Sequence, residues 1–232
     1  MPNHPDQQSP QPDSSLLART FESLLEGITG VLASERKDKI LSAGHLLQAL
    51  RSSGFLKQLK AEWDAYCSMG RIKDDYVRTD QHQECLQELL DSLDVDAPDH
   101  VRFAFLKKIL LSAATERSST RESLLPQQYM RIARSLSSGE VIVLLATYRV
   151  ADNGQFEREG AAFTWLMRIA EESGLRYPEL VEIHERGLVQ KNLLTRRTHQ
   201  ESAVTLGERF RLTQLGHELC MFIETYEEPV SA

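Results

Sequence analysis

Apolar residues recur along the front of the chain at three- and four-residue steps. Leu17, Phe21, Leu24, Leu25, Ile28 and Leu32 form one such series, which predicts an amphipathic helix. Ile40, Leu46, Leu47 and Leu50 predict a second helix, ending near Gly54. A third, FLKQLKAEWDAYCSM, stops at Gly70, which can adopt the left-handed cap without a Cβ penalty. The opening MPNHPDQQSPQPDS has no aliphatic side chain after Met1, so residues 1–14 read as a disordered tail.

Polar punctuation marks the later helices. Asp80 with Gln83 forms a capping-box pattern before the stripe Leu86, Leu89, Leu90 and Leu93. In DAPDHVRFAFLKKILLSAA, Asp96 is the expected N-cap, with Pro98 in the first turn and Asp99 near the positive helix end. Ser137 and Glu140 make S-x-x-E, flanked by Leu136 and Val141 at the positions of a hydrophobic staple. Asp152-Asn153-Gly154 ends that helix. These breaks suggest a helical domain over 15–135 and a second domain over 136–232, although the helix before residue 135 can bridge the two.

The last third alternates helix and turn, then changes period. AAFTWLMRIAEESGL is an amphipathic helix closed by Gly174, and RYPELVEIHERGLVQK follows with Pro178 in its first turn. Asn192 is placed to take the left-handed conformation after that helix. LLTRR and ERFRLT read as the two strands of a small β-hairpin, and Thr213 caps the closing helix TQLGHELCMFIETY. In that helix Leu215, Leu219, Phe222 and Ile223 are the expected core positions. IAEESGL, KNLL and RLTQLGHEL, in that order, resemble the second helix with its turn, the corner and the exit of a bacterial winged-helix domain. The resemblance covers Ser137 to about Tyr226, and the chain as a whole is similar to bacterial helical proteins of the Abi-alpha kind. The expected fold class is therefore mainly α: a helical N-terminal region, then a winged-helix-like domain with a small β-hairpin.

Composition narrows the function classes. Lys and Arg number 27 against 34 Asp and Glu, and a net charge of -7 argues against coating nucleic acid through overall charge. Three cysteines at irregular spacing, with no basic-then-apolar leader, fit a reducing, cytoplasmic setting. The longest apolar run, VIVLLA, is far short of the ~20 residues of a membrane-spanning helix. Phosphate-binding, dinucleotide, nucleophile-elbow and zincin motifs do not occur, and no cofactor or small-molecule ligand is implied. His82 and Cys85 lie at i, i+3, but a closed zinc site needs four ligands, with only Cys67 near in sequence. A structural Cys85 beside a surface His82 is the expectation, with Cys220 in the core. The acids Asp91, Asp94, Asp96 and Asp99 lack calcium-loop spacing. The chain reads as a non-enzyme.

A winged helix serves either to read DNA or to dock protein, so the chemistry of its faces decides. On a helical wheel for 178–191, Leu180, Val181, Ile183, His184, Gly187 and Leu188 gather on the expected inward side. Glu179, Glu182, Glu185, Arg186, Val189 and Gln190 face outward, three carboxylates against one guanidinium. That is a poor match to duplex phosphates. The expected function is a non-catalytic interaction protein, of a bacterial regulatory or defence-associated type. Its docking face is Glu179, Glu182, Arg186 and Val189, and its partner is another protein or a second copy. The alternative is a DNA-binding transcriptional regulator that contacts phosphates through Lys191, Arg196, Arg197, Arg209 and Arg211 on the wing.

Overall fold

The computed structural model describes residues 43–72, 79–95, 99–115, 125–152, 162–196 and 211–226. Eight helices fall within them: α1 (Ala43–Ser68), α2 (Asp80–Val95), α3 (His100–Ala114), α4 (Leu125–Arg134), α5 (Ser138–Asp152), α6 (Ala162–Glu172), α7 (Pro178–Gln190) and α8 (Gln214–Glu224). There is no strand among the described residues, so the architecture is mainly helical. The expected tail over 1–14 and the helix expected over 17–32 lie outside them. The chain divides into two compact units, Met1–Val77 and Arg78–Ala232.

In the first unit, α1 is one 26-residue helix where the sequence pattern suggests two. It runs through Gly54, which is exposed and has open space where a Cβ would stand. A helical glycine costs about 1 kcal/mol relative to alanine but does not stop a helix whose apolar stripe continues. Here the stripe does continue, through buried Phe55, Leu56, Leu59, Trp63 and Tyr66. The end of α1 is as expected: Gly70 has φ +64°, and the Arg71 N–H donates to the Tyr66 carbonyl at 3.0 Å. Gly54→Ala should stabilise the protein by about 0.5–1 kcal/mol, because alanine narrows the unfolded ensemble and meets no obstacle in the helix. Urea unfolding at neutral pH checks this, and a lowered midpoint would contradict it.

The second unit is built around α3 and α5. Helix α3 is apolar nearly all round, burying Phe103, Phe105, Leu106, Ile109, Leu110, Leu111, Ala113 and Ala114. It packs on α2, α4, α5 and α8, while α5 packs on α3, α6, α7 and α8. The boundary expected near residue 135 therefore falls inside this unit. The physical reason is that α3 buries most of its surface, its polar exposure being confined to His100, Arg102 and Lys108, so helices from both sides of residue 135 cover it. Between α2 and α4, Glu88 accepts from Arg134 at 2.5 Å and lies 3.5 Å from Arg131.

Two caps shift from their expected positions. The Thr79 hydroxyl, in place of Asp80, takes the first-turn N–H of His82 at 3.3 Å, and Asp80 becomes the first helical residue. Asp99, in place of Asp96, is the N-cap of α3, accepting from the Arg102 N–H at 3.0 Å. Burial acts to raise the Asp99 carboxyl, but hydrogen bonds from the Ser138 hydroxyl and the Arg102 and Val101 N–H groups outweigh it and hold the carboxyl below its ordinary range. The Ser137–Glu140 box forms as expected. The Ser137 N–H donates to Glu140 Oε2 at 2.7 Å, and the Glu140 N–H donates to Ser137 Oγ at 3.3 Å. Leu136 and Val141 are both buried beside it.

Candidate functional site

The site is the C-terminal half of α7 and the chain that leaves it. Pro178 stands in the first turn of α7, and Asn192 follows the Lys191 C-cap with φ +56°. The Leu193 N–H then closes back onto the Leu188 carbonyl at 2.9 Å. From there Leu194 and Leu212 form an isolated antiparallel bridge, with N–H donation from Thr195 to the Arg211 carbonyl (2.8 Å) and from Thr213 to the Leu193 carbonyl (3.1 Å). Leu193, Leu194 and Leu212 are buried. This bridge lies at the base of the expected hairpin, whose remaining residues 197–210 lie outside the described set.

Helix α8 starts at Thr213, whose side chain accepts from the Gly216 N–H at 3.0 Å. Leu219 and Ile223 are buried as expected, while Leu215 and Phe222 are only half-buried. Gly216 passes directly over the Leu193 carbonyl oxygen, and a Cβ there would overlap that backbone atom. The glycine within RLTQLGHEL is thus a condition for α8 to pack on the α7 corner. Gly216→Ala should destabilise the protein by about 1–3 kcal/mol, since a backbone oxygen cannot swing aside as a side chain can. Thermal unfolding against wild type is the measurement, and an unchanged midpoint would contradict the close approach.

The inward face of α7 differs from the wheel. Val181, Glu185 and Leu188 are the buried stripe, whereas Leu180 and Ile183, expected inside, are 39% and 51% exposed. Glu185, expected outside, is buried because a partner arrives from far along the chain. Arg211 Nη1 lies 2.9 Å from Glu185 Oε1, both side chains 4% exposed, and Arg211 Nη2 also donates to the Thr195 carbonyl at 2.8 Å. A wheel that counts apolar residues has no means of seeing that ion pair.

Two close approaches seat α7 on α5. Gly139 of α5 lies against the His184 ring, and Gly187 of α7 lies against the Glu140 carboxylate, each where a Cβ would collide. Glu140 Oε1 in turn accepts from Lys191 Nζ at 2.5 Å. Burial acts to raise Glu140, but the hydrogen bonds from Lys191 and Ser137 outweigh it and hold the carboxyl low.

These contacts sort the sequence-predicted site residues. Lys191 is half-buried on Glu140, and Arg211 is buried on Glu185, so both serve the fold where a phosphate contact was expected. Arg196 is exposed, and Arg197 and Arg209 lie outside the described residues. Glu179, Glu182 and Arg186 are exposed and Val189 is half-buried. A cleft of about 370 Å³ brings Glu182, Arg186 and Val189 together with Glu185, Gln190, Arg196 and Arg211. Its lining has three arginines and two glutamates, a balance of +1. Glu179 lies one turn away, outside that lining. The residues not anticipated are Tyr177, Leu180 and Ile183, an exposed apolar run at 64%, 39% and 51%. Their i, i+3, i+6 spacing was legible as a helical row, but not which way the row faced.

Elsewhere, His82 is buried with Cys85, not at the surface as expected, and burial lowers its pKa from 6.5 to about 4. Cys220 is core as expected, and burial pushes its thiol far up. Among the described residues no three His, Cys, Asp or Glu side chains are grouped to hold a metal ion. None of the described helices is long and apolar enough to cross a membrane. No known protein family, curated protein or solved structure matches the chain.

Proposed function

We propose that this chain is a non-catalytic docking protein that receives a protein partner on α7, within a winged-helix-like arrangement. The observation that carries this reading is the solvent-facing surface of α7. Tyr177, Leu180 and Ile183 expose apolar surface beside the acids Glu179 and Glu182. Exposed aromatic and branched side chains next to charge are the composition of a protein contact, in which a few apolar anchors are ringed by polar groups. Duplex DNA would meet carboxylates where it needs cations. The engagement of Lys191 and Arg211 with buried carboxylates further weakens the DNA reading.

The reading is tested by placing a photo-crosslinking residue at Leu180 and measuring duplex DNA binding at two salt concentrations, with Arg196→Ala as control. Protein crosslinks, with only weak duplex binding that Arg196→Ala leaves unchanged, are expected. Tight duplex binding that falls steeply with salt and is lost in Arg196→Ala, with no protein crosslink, would sink it.

A further inference from the structure

We infer that the partner α7 receives is a second copy of this chain, docking its own α7 in antiparallel orientation. This rests on the docking reading above and names the occupant. Glu179, Ile183 and Arg186 stand at i, i+4 and i+7, so they share one stripe about two turns long. All three are exposed. Ile183 forms the apolar centre of the stripe, with Leu180 and Tyr177 alongside it. A carboxylate closes one end and a guanidinium the other.

That arrangement is self-complementary in one sense only. A two-fold axis crossing the stripe at its middle sets Glu179 of each copy opposite Arg186 of the other and brings the two Ile183 side chains together. The Glu179–Arg186 pair then forms twice. A parallel arrangement would instead set like charges against each other, which disfavours it. Both groups remain available: among the described residues neither sits in an ion pair, and Arg186 Nε reaches only the Glu182 carbonyl of its own helix, at 3.4 Å.

One helix laid on another covers less than the ~1,600 Å² of a standard interface, so the dimer is weak and concentration-dependent. Its charge pairs lie in solvent, so added salt weakens it further.

Sedimentation of the full chain over a wide concentration range tests the proposal, and a reversible monomer–dimer equilibrium is expected. Glu179→Arg and Arg186→Glu should each weaken self-association about tenfold or more, since every reversed pair is met twice in a symmetric dimer. Mixed in equal amounts, the two variants complement each other, and association should return towards the wild-type level. Recovery in the mixture also shows that both variants fold. A chain that stays monomeric throughout, or a mixture no stronger than either variant alone, overturns self-pairing. If crosslinks from Leu180 capture a different protein while the chain is monomeric, self-pairing falls and the docking reading stands. If only duplex DNA is bound, both fall.

Discussion

Replacing Arg211 with Met is expected to lower the unfolding free energy by about 3–5 kcal/mol, the usual consequence of leaving a buried charge without its partner. Glu185 would remain behind at 3% exposure with its carboxylate stripped of the guanidinium. Adding Glu185→Leu should recover most of the loss, because removing both charges removes the desolvation problem as well. Denaturant unfolding of the two single variants and the double variant forms the cycle that measures it. A single variant within about 1 kcal/mol of wild type would contradict the structural importance of this buried pair. The result also bears on nucleic-acid binding. Any loss of DNA affinity in an Arg211 variant would first have to be separated from damage to the α7 corner, so exposed Arg196 is the cleaner probe.

The second large effect is a pH dependence centred on His82. Its folded pKa, about 4, lies below the ordinary 6.5 because burial penalises the imidazolium. Between those values the unfolded chain takes up a proton that the folded chain refuses, so stability rises with pH across this window. Above pH 6.5 the contribution is level. On acidification from 6.5 towards 4 it is lost progressively, by about 3 kcal/mol in all. Asp99 and Glu140, whose carboxyls are held low in the folded state, add their own losses only as pH falls through the carboxylate range. The interval from about pH 6.5 to 5 therefore isolates the histidine. Urea midpoints of wild type and His82→Leu across that interval give the test. The wild type should lose stability more steeply than the variant, and parallel profiles would refute the assignment.

What the sequence made legible was local. The Ser137–Glu140 box, Gly70, Gly174, Pro178, Asn192 and Thr213 all stand where short-range chemistry puts them, since a cap is decided within a single turn. The start of α2 is capped by Thr79 and that of α3 by Asp99, each close to the acid the pattern favoured. The end expected near Gly54 did not form because the apolar stripe continues through it. What the sequence hid was set by partners distant along the chain. Glu185 is buried because Arg211 arrives 26 residues later, and with Val181, Glu185 and Leu188 turned inward, Leu180 and Ile183 are left exposed. Likewise α3 could not be assigned to one domain from its own pattern, because a helix that buries most of its surface does not say which neighbours cover it. Of the candidate site, the acidic and basic groups were identifiable as types. Their division into buried pairs and solvent-facing charges required the fold.

The crossing of α5 and α7 has a mechanical consequence. Each helix supplies one glycine notch and one polar peg: His184 enters the notch at Gly139, and Glu140 enters the notch at Gly187. Two pegs pointing in opposite directions block sliding by a turn as well as rotation about the helix axis. On the docking reading proposed above, helix α7 would therefore meet a partner as a rigid rail whose stripe is already aimed. Little ordering of its backbone remains to be done on binding, and the strength of docking is left to the side chains that line the rail.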